Sequence, residues 1–143
     1  MKNFTYSRKV NYYETDQMGI VHHSNYIRYM EEARLALLEE LSLSYAAMEE
    51  NGLLIPVLSA SCIYKIPFRY GETFTVDIYP VFFNGIKLTL GYHFYGVDEK
   101  LHSTGESSHC FVDTDMRPLS LKKSHPDIYT GLLEWVDSFK EDV

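Results

Sequence analysis

The chain contains one long helical pattern, followed by segments in which every second residue is apolar. Residues 26–41 have apolar side chains at helical spacing and glutamates on the other faces. From Leu54 the period changes to two, which predicts four strands, at 57–69, 73–83, 86–96 and 101–113. The dipeptide Asn84-Gly85 between the second and third of these is typical of a β-hairpin. One long helix beside an antiparallel sheet predicts an α+β fold.

Weaker patterns surround this core. Phe4 to Tyr12 predicts a further strand that ends near Glu14, and Ser24 or Asn25 is the expected N-cap of the long helix. A break near Leu43 leads into a helical extension that Gly52 should end. Residues 127–140 predict a short amphipathic helix at the carboxyl end.

Length and composition limit the classes of protein to consider. We expect residues 1–143 to form one domain, because this length can bury a stable core. Hydrophobic residues make up 45% of the chain and aromatic residues 15%, which argues against disorder. The formal net charge of −7, without a basic stripe, argues against nucleic acids and anionic membrane surfaces as partners.

Further patterns bear on location and on metals. Met1 to Tyr6 has no apolar core of signal-peptide length, and no apolar run is long enough to cross a bilayer. Cys62 and Cys110 lie far apart without zinc-ligand spacing, so we expect free thiols and no metal site. A metal held by Asp16, His22 and His23 is disfavoured because adjacent histidines rarely face one ion. These observations predict a cytoplasmic protein.

The candidate chemistry lies in the loop that joins the first strand to the long helix. Asp16 sits where the unpaired N–H groups and the positive end of the helix dipole converge. A carboxylate beside oriented donors suits attack on a polarised carbonyl, or activation of water for that attack. The alternative is that Asp16 is only a turn or capping residue.

The motif around Asp16 resembles that of a known enzyme family. The run Asp16-x-x-Gly19-Ile20-Val21-x-His23-x-Asn25-Tyr26, followed by Arg28-Tyr29 and Glu31-x-Ala33-Arg34, is similar to the signature of the 4-hydroxybenzoyl-CoA thioesterase family. Two weaker similarities are Pro67-x-x-Tyr70-Gly71-Glu72 and Val112-Asp113 ahead of Arg117-Pro118. The resemblance implies a hotdog fold, in which an antiparallel sheet wraps around a long central helix. It also implies an acyl-CoA thioesterase that needs no cofactor and works as a homo-oligomer, either a dimer or a homotetramer.

The resemblance also implies roles for individual residues. Asp16 matches the family's nucleophile or general base, and the backbone N–H at His23 matches its oxyanion donor. The His23 side chain either orients the leaving thiol or water, or fills the wall. Gly19, Ser24 and Asn25 are the expected substrate contacts in the loop. Lys65 and Arg69, with Lys87 as a further candidate, are the cations that could hold the coenzyme A phosphates.

Several functional questions stay open at this point. The substrate is either an acyl-CoA or an acyl-carrier-protein thioester, and the acyl group is not specified. A hydratase or dehydratase on the same fold would use an acidic residue and a histidine later in the helix region, so it is less favoured. The other alternative is a non-catalytic module that binds an acyl thioester without releasing thiol.

Overall fold

In the computed structural model, which describes residues 4–140, five strands form one antiparallel sheet. Met1 to Asn3, which belong to the amino-terminal segment discussed above, lie outside this range. The strands are β1 (Thr5–Lys9), β2 (Val57–Tyr64), β3 (Thr73–Phe83), β4 (Lys87–Gly96) and β5 (Leu101–Cys110). Their order across the sheet is β1-β3-β4-β5-β2. β2 is therefore an edge strand, although it precedes three of the others in the chain.

The helices are α1 (Ser24–Glu40), α2 (Tyr45–Glu50), α3 (Leu121–Ser124) and α4 (Pro126–Lys140). A short 3-10 helix, Tyr12–Glu14, precedes the Asp16 loop. α1 packs on one face of the sheet, and Met30 contacts Gly105 on β5. A Cβ added at Gly105 would lie 2.8 Å from the Met30 sulfur, so a larger residue there would require the Met30 side chain to shift. The described residues thus have the predicted arrangement of one long helix on an antiparallel sheet.

Aromatic rings fill the space between the first half of α1 and the sheet. Tyr26 lies with its ring centroid 5.4 Å from that of Phe94, and Tyr29 lies 4.7 Å from Phe74. Phe68 stacks between Phe74 and His102, at 4.9 and 4.5 Å. Such pairs contribute about 0.5–1.5 kcal/mol each beyond simple burial. This cluster fixes the start of α1, where the candidate site lies.

Some predicted boundaries were wrong. β2 ends at Tyr64 and not at Arg69, because the N–H groups of Lys65 and Ile66 both bond to the His102 carbonyl (3.0 and 2.9 Å). Because two N–H groups share one carbonyl, the regular hydrogen bonding between β2 and β5 ends here. Pro67 has no N–H with which to continue it. β1 likewise stops at Lys9, because the 3-10 helix follows.

α1 also differs in which residues it buries. Two apolar residues of this helical pattern, Ile27 and Leu35, are 38% and 39% exposed. The buried residues are instead Asn25, Tyr26, Tyr29, Met30, Ala33 and Leu37. α1 therefore carries apolar side chains on an uncovered face. The predicted break after α1 is present. The helical extension that follows it, α2, ends shortly before Gly52 as predicted, and Gly52 has a φ of +77°.

The outer edge of β2 is uncovered. It exposes four large apolar side chains, Val57, Leu58, Ile63 and Tyr64, by 48–63%. An edge strand also presents backbone N–H and C=O groups without partners. Cys62 on this strand and Cys110 on β5 are free thiols of intermediate exposure, as expected. No helix within residues 4–140 has both the length and the apolar character of a membrane span.

Candidate active site

Asp16 begins a tight turn that is closed by its own backbone and side chain. The Gly19 N–H donates to the Asp16 carbonyl (3.0 Å), and the Met18 N–H donates to Asp16 Oδ1 (2.8 Å). Gly19 has a φ of +78°, a conformation that residues with a Cβ rarely adopt. An antiparallel bridge between Thr15 and Val21 closes the base of the loop. Oδ1 therefore holds the turn, which leaves Oδ2 for chemistry.

A buried ion pair anchors this loop to the sheet. The Glu14 carboxylate, whose residue is 5% exposed, accepts hydrogen bonds from the Arg8 guanidinium on β1 and from the Asn11 N–H (2.8 Å). Burial raises the pKa of Glu14, but the bonds from Arg8 and Asn11 outweigh burial and leave that pKa below its usual value. Arg8 also binds Glu32 on α1 at 3.0 Å. The pair thus joins β1, the loop and α1.

The Glu14 backbone carbonyl also links the Asp16 loop to the start of α1. Its carbonyl accepts the His22 N–H and the Asn25 side-chain amide, both at 2.8 Å. Asn25 is 7% exposed. The structure therefore gives Asn25 a role in fixing the loop against the helix.

The capping of α1 differs from the expectation. The N-cap is His23, not Ser24 or Asn25, and its side chain makes no capping bond. The neighbouring His22 ring caps the helix instead, because its Nδ1 accepts a hydrogen bond from the Ser24 N–H (3.1 Å). The same nitrogen lies 2.8 Å from the Ser24 hydroxyl. The His23 ring stacks on His22, with centroids 4.2 Å apart. Within residues 4–140, the His23 N–H has no hydrogen-bond acceptor, so it is available to a ligand at the positive end of the helix dipole.

These groups border a cavity of about 260 Å³, which we name the Asp16 cavity. It lies between the loop, the first turn of α1 and the end of β2. Tyr64 closes one side, and its hydroxyl donates to the His23 carbonyl (3.2 Å). The lining residues are Asp16, Met18, Ile20, Val21, His23, Tyr26, Tyr64, Lys65 and Pro67.

The structure brings some of the predicted site residues together and separates others. Asp16, His23 and Lys65 share the Asp16 cavity. Gly19 and Arg69 lie beside it, with Arg69 Nη1 4.0 Å from the position that a Gly19 Cβ would take. The remaining three do not line it: Ser24, Asn25 and Lys87.

Tyr64 lines this cavity, although it was not among the predicted site residues and a tyrosine on a strand is more often a core or interface residue. The signal that could have found it was its position just before Lys65, which was already a candidate for binding the coenzyme A phosphates. Among residues 4–140, no group of three or more histidine, cysteine, aspartate or glutamate side chains is arranged to hold a metal ion.

A second cavity, of about 300 Å³, lies further along α1. We name it the α4 cavity because Leu132 and Trp135 of α4 form one wall. Residues of α1, of α2, of the segment before β2, and of β4 and β5 form the rest. Sequence reasoning missed this cavity entirely.

One wall of the α4 cavity carries a chain of hydrogen bonds. Arg34 donates to the Tyr92 hydroxyl (3.1 Å), which lies 2.6 Å from the Ser107 hydroxyl. Ser107 in turn lies 2.8 Å from Nε2 of His109, which is 2% exposed and lines the cavity. Burial, and then the nearby Arg34 charge, lower the pKa of His109 to about 4. His109 is therefore neutral at pH 7.

This lowered pKa predicts a stability change in mild acid. The unfolded chain binds a proton at His109 near pH 6.5, whereas the folded chain does so only near pH 4. The stabilisation is therefore full above pH 6.5 and is lost as the pH falls towards 4, by about 3 kcal/mol in total. Urea unfolding at pH 7, 6 and 5 should show this loss in the wild type, and His109→Gln should show much less of it. Equal pH dependence in the wild type and in His109→Gln would contradict the prediction.

The chain matches known proteins over most of its length. Residues 10–138 match the model of the thioesterase-like superfamily. The Bacillus subtilis (strain 168) protein YneP, a candidate acyl-CoA thioesterase, is 42% identical over 124 residues, which cover 86% of this chain and 90% of that protein.

Two solved structures show the same architecture. The DHNA-CoA thioesterase of Staphylococcus aureus has a TM-score of 0.92 at 26% identity, covering 99% of this chain and 95% of its own. A hypothetical protein of Aquifex aeolicus has a TM-score of 0.84 at 34% identity, covering 90% and 98%. The predictions of a hotdog fold and of a thioester hydrolase are confirmed at this level. The chain therefore belongs to the thioesterase-like superfamily and has its hotdog fold.

Proposed function

We propose that this protein hydrolyses acyl-CoA thioesters in the Asp16 cavity, with Asp16 as nucleophile or general base. The observation that carries the proposal is the pairing of a carboxylate with a free backbone donor. Asp16 and His23 line the same cavity, and the His23 N–H has no acceptor within the described residues. A thioester carbonyl placed between them would meet an attacking group on one side and an oxyanion donor on the other.

The reaction can be written with these groups alone. Either Asp16 removes a proton from water as the water oxygen attacks the carbonyl carbon, or Asp16 attacks first and water then hydrolyses the resulting anhydride. The C–S bond breaks in both cases, and the thiolate takes up a proton to give free coenzyme A and the carboxylic acid. We assign to the His23 ring, which stacks on His22, the orientation of the leaving thiol or of the water.

Other groups beside the cavity suit the coenzyme. Lys65 lines it and Arg69 lies next to Gly19, so both can reach phosphates at its mouth. Gly19 keeps the turn tight enough for close approach of a substrate. The Ser24 hydroxyl bonds to His22 and does not line the cavity, so a substrate contact from Ser24 stays a prediction. Because of the motif around Asp16, we place the chain with the 4-hydroxybenzoyl-CoA thioesterases within the superfamily. An acyl-carrier-protein substrate stays a prediction. A cytoplasmic location also stays a prediction.

The proposal is tested by thiol release from a panel of acyl-CoA thioesters. Purified protein should release free thiol and acid in equal amounts from at least one member. A hydratase would alter the acyl chain without releasing thiol, and a binding module would retain intact thioester. Thioester that is bound but never hydrolysed, across the whole panel, would overturn the proposal.

We also propose that the protein works as a homo-oligomer built on the free edge of β2. The exposed apolar residues of β2 are symmetric about Ala60 and Ser61. Antiparallel pairing with a second copy would therefore match Val57 with Tyr64, and Leu58 with Ile63. Such a self-complementary patch is what a two-fold interface requires. A tetramer would need one further interface between two such dimers.

A charge placed on this edge should separate the copies. Ile63→Glu is expected to weaken self-association by at least about tenfold, because the glutamate would be desolvated opposite an apolar partner. Analytical ultracentrifugation over a concentration series measures this. Val81→Glu, at a residue of β3 that is 51% exposed, is the matched control and should leave association unchanged. A wild-type protein that stays monomeric throughout would contradict the interface.

A further inference from the structure

His102 is a buried histidine that contacts both ends of the segment 65–68, which runs along the Asp16 cavity. Its carbonyl accepts a hydrogen bond from the Lys65 N–H (3.0 Å). Its ring stacks on the Phe68 ring, with the centroids 4.5 Å apart and the planes within 5° of parallel. Lys65 and Pro67 of this segment line the cavity. The position of this wall therefore depends on where His102 lies.

One carboxylate holds the His102 ring in its orientation. Nε2 of the ring lies 3.0 and 3.1 Å from the two oxygens of Asp98, and because a carboxylate only accepts, the ring donates from Nε2. Nδ1 is buried and has no hydrogen-bond partner among residues 4–140. His102 is 5% exposed, whereas the Asp98 side chain is 44% exposed. The orientation of a buried ring thus depends on an exposed side chain.

The turn between β4 and β5 leaves room for this pair and fixes its acidic member. A Cβ added at Gly96 would lie 2.6 Å from His102 Nε2 and 2.7 Å from Asp98 Oδ1, so a larger residue there would push the two groups aside. The Lys100 N–H donates to the same Asp98 oxygen (3.0 Å). The turn therefore holds the carboxylate, and the carboxylate holds the ring that packs on Phe68.

The wall that His102 supports presents a cation to the cavity. Lys65 lines the Asp16 cavity, and within residues 4–140 its ammonium group pairs with no carboxylate. A lysine without an internal partner is available to an anionic group of a ligand. Asp16 is held separately, by the bonds within its own turn and by the ion pair between Arg8 and Glu14. A shift of the segment 65–68 would therefore move Lys65 more than Asp16.

We propose that Asp98 and His102 are positioning residues, which hold the segment 65–68 so that the Lys65 ammonium group meets a phosphate of the bound coenzyme. This inference rests on the proposed function and adds to it the contacts that set the affinity for the coenzyme half of the substrate. Neither residue touches the reacting atoms. Their effect is on the binding of the phosphates and not on cleavage of the C–S bond.

Two substrates that differ only in the phosphates test this role. Asp98→Ala frees the His102 ring by changing an exposed side chain, so the variant should fold. With an acyl-CoA, KM should rise about tenfold while kcat stays within about twofold, because Lys65 no longer meets the phosphate. With the matching acyl-N-acetylcysteamine thioester, which has no phosphate, kcat/KM should equal that of the wild type. Isothermal titration calorimetry with free coenzyme A should show a Kd raised by about the same tenfold.

The other hairpin turn of the sheet provides a matched control. Oδ1 of Asn84 also accepts two backbone N–H groups, from Ile86 (2.9 Å) and Lys87 (2.8 Å), in a turn that does not border the Asp16 cavity. Asn84→Ala therefore removes the same kind of turn bond as Asp98→Ala. It should leave KM for acyl-CoA and the Kd of coenzyme A unchanged.

Two more variants separate the bond to His102 from other effects at Asp98. Asp98→Asn keeps an oxygen that can accept the His102 Nε2–H, so its KM should stay within about twofold of the wild-type value. Gly96→Ala keeps Asp98 but pushes it away from the ring, so it should reproduce the rise in KM. A normal KM in Gly96→Ala would contradict the proposed role of the pair.

The outcomes separate this inference from the proposed function. An unchanged KM in Asp98→Ala, or equal losses on both substrates, would overturn the inference while thioesterase activity stands. A fall in kcat alone would also overturn it, because His102 would then act on the Asp16 loop through the bond from the Val21 N–H to the Phe68 carbonyl (2.9 Å). Absence of thiol release from every thioester would remove the proposed function, and the Kd of free coenzyme A would still test the positioning.

Discussion

Replacing Asp16 by asparagine is expected to lower kcat by about a thousandfold and to leave the fold intact. Asparagine keeps a side-chain oxygen that can accept the Met18 N–H, so the turn is preserved. It lacks the basic and nucleophilic carboxylate, so the chemical step fails while binding persists. Steady-state thiol release gives kcat, and the binding of a non-hydrolysable acyl-CoA analogue checks the cavity.

The chain offers a close control for this variant. Asp113 also accepts backbone N–H groups through Oδ1, from Asp115 (2.8 Å) and Arg117 (3.0 Å), in a loop that does not border the Asp16 cavity. Asp113→Asn should therefore change turn chemistry in the same way and leave kcat unchanged. Comparable activity in both variants would show that Asp16 is only a turn residue.

The same substrates can separate the two chemical routes. In a single turnover in H₂¹⁸O, a covalent route passes through an anhydride at Asp16. Label found in the Asp16 carboxylate would identify that route. Label confined to the acid product would favour Asp16 as general base.

Replacing Arg8, the cation that pairs with Glu14, should lower the free energy of unfolding more than any other substitution proposed for this protein. Arg8→Met leaves the Glu14 carboxylate, which is 5% exposed, without its charged partner, and breaking a buried pair in this way costs about 3 kcal/mol. Urea unfolding at pH 7 measures the loss. Arg28→Met, at an exposed arginine of α1, should cost less than about 0.5 kcal/mol. Equal effects would mean that the ion pair contributes nothing measurable.

The pH dependence of this pair follows from the lowered pKa of Glu14. Because the folded pKa of Glu14 lies below its usual value of 4.5, the pair stabilises the fold above that pH and loses its contribution as the pH falls through the folded pKa. In Arg8→Met, burial acts with less opposition, so the Glu14 pKa should rise and the acid transition should move to higher pH. Unfolding curves from pH 7 down to pH 3 in both proteins test the direction.

The helices and strands were predictable because the spacing of apolar residues along each of them follows which residues are buried. β3 has the predicted bounds, Thr73–Phe83, since Phe74, Val76 and Ile78 are buried at every second position and Asn84-Gly85 marks its end. The end of β2 was not predictable, because it depends on one carbonyl, that of His102, which lies far away in sequence. Boundaries of this kind are set by tertiary contacts.

The same reasoning explains what could be predicted of the site. Asp16 and His23 are neighbours in sequence, so a short motif marks them. The anchor between Arg8 and Glu14 and the walls of the α4 cavity join segments that are distant in sequence. No short pattern links Leu90 to Trp135, and only the folded chain brings them together.

The uncovered edge of β2 has a consequence for the newly made chain. Between its apolar ends the strand carries only small residues and a free thiol, Ser59, Ala60, Ser61 and Cys62, with neither lysine nor proline to discourage strand addition. A lone protomer is therefore a template for strand addition, and the unpaired fraction is greatest while its copies are still dilute. Pairing of the copies would cover this edge. Selection against aggregation and selection for turnover would therefore act on the same eight residues, those of β2.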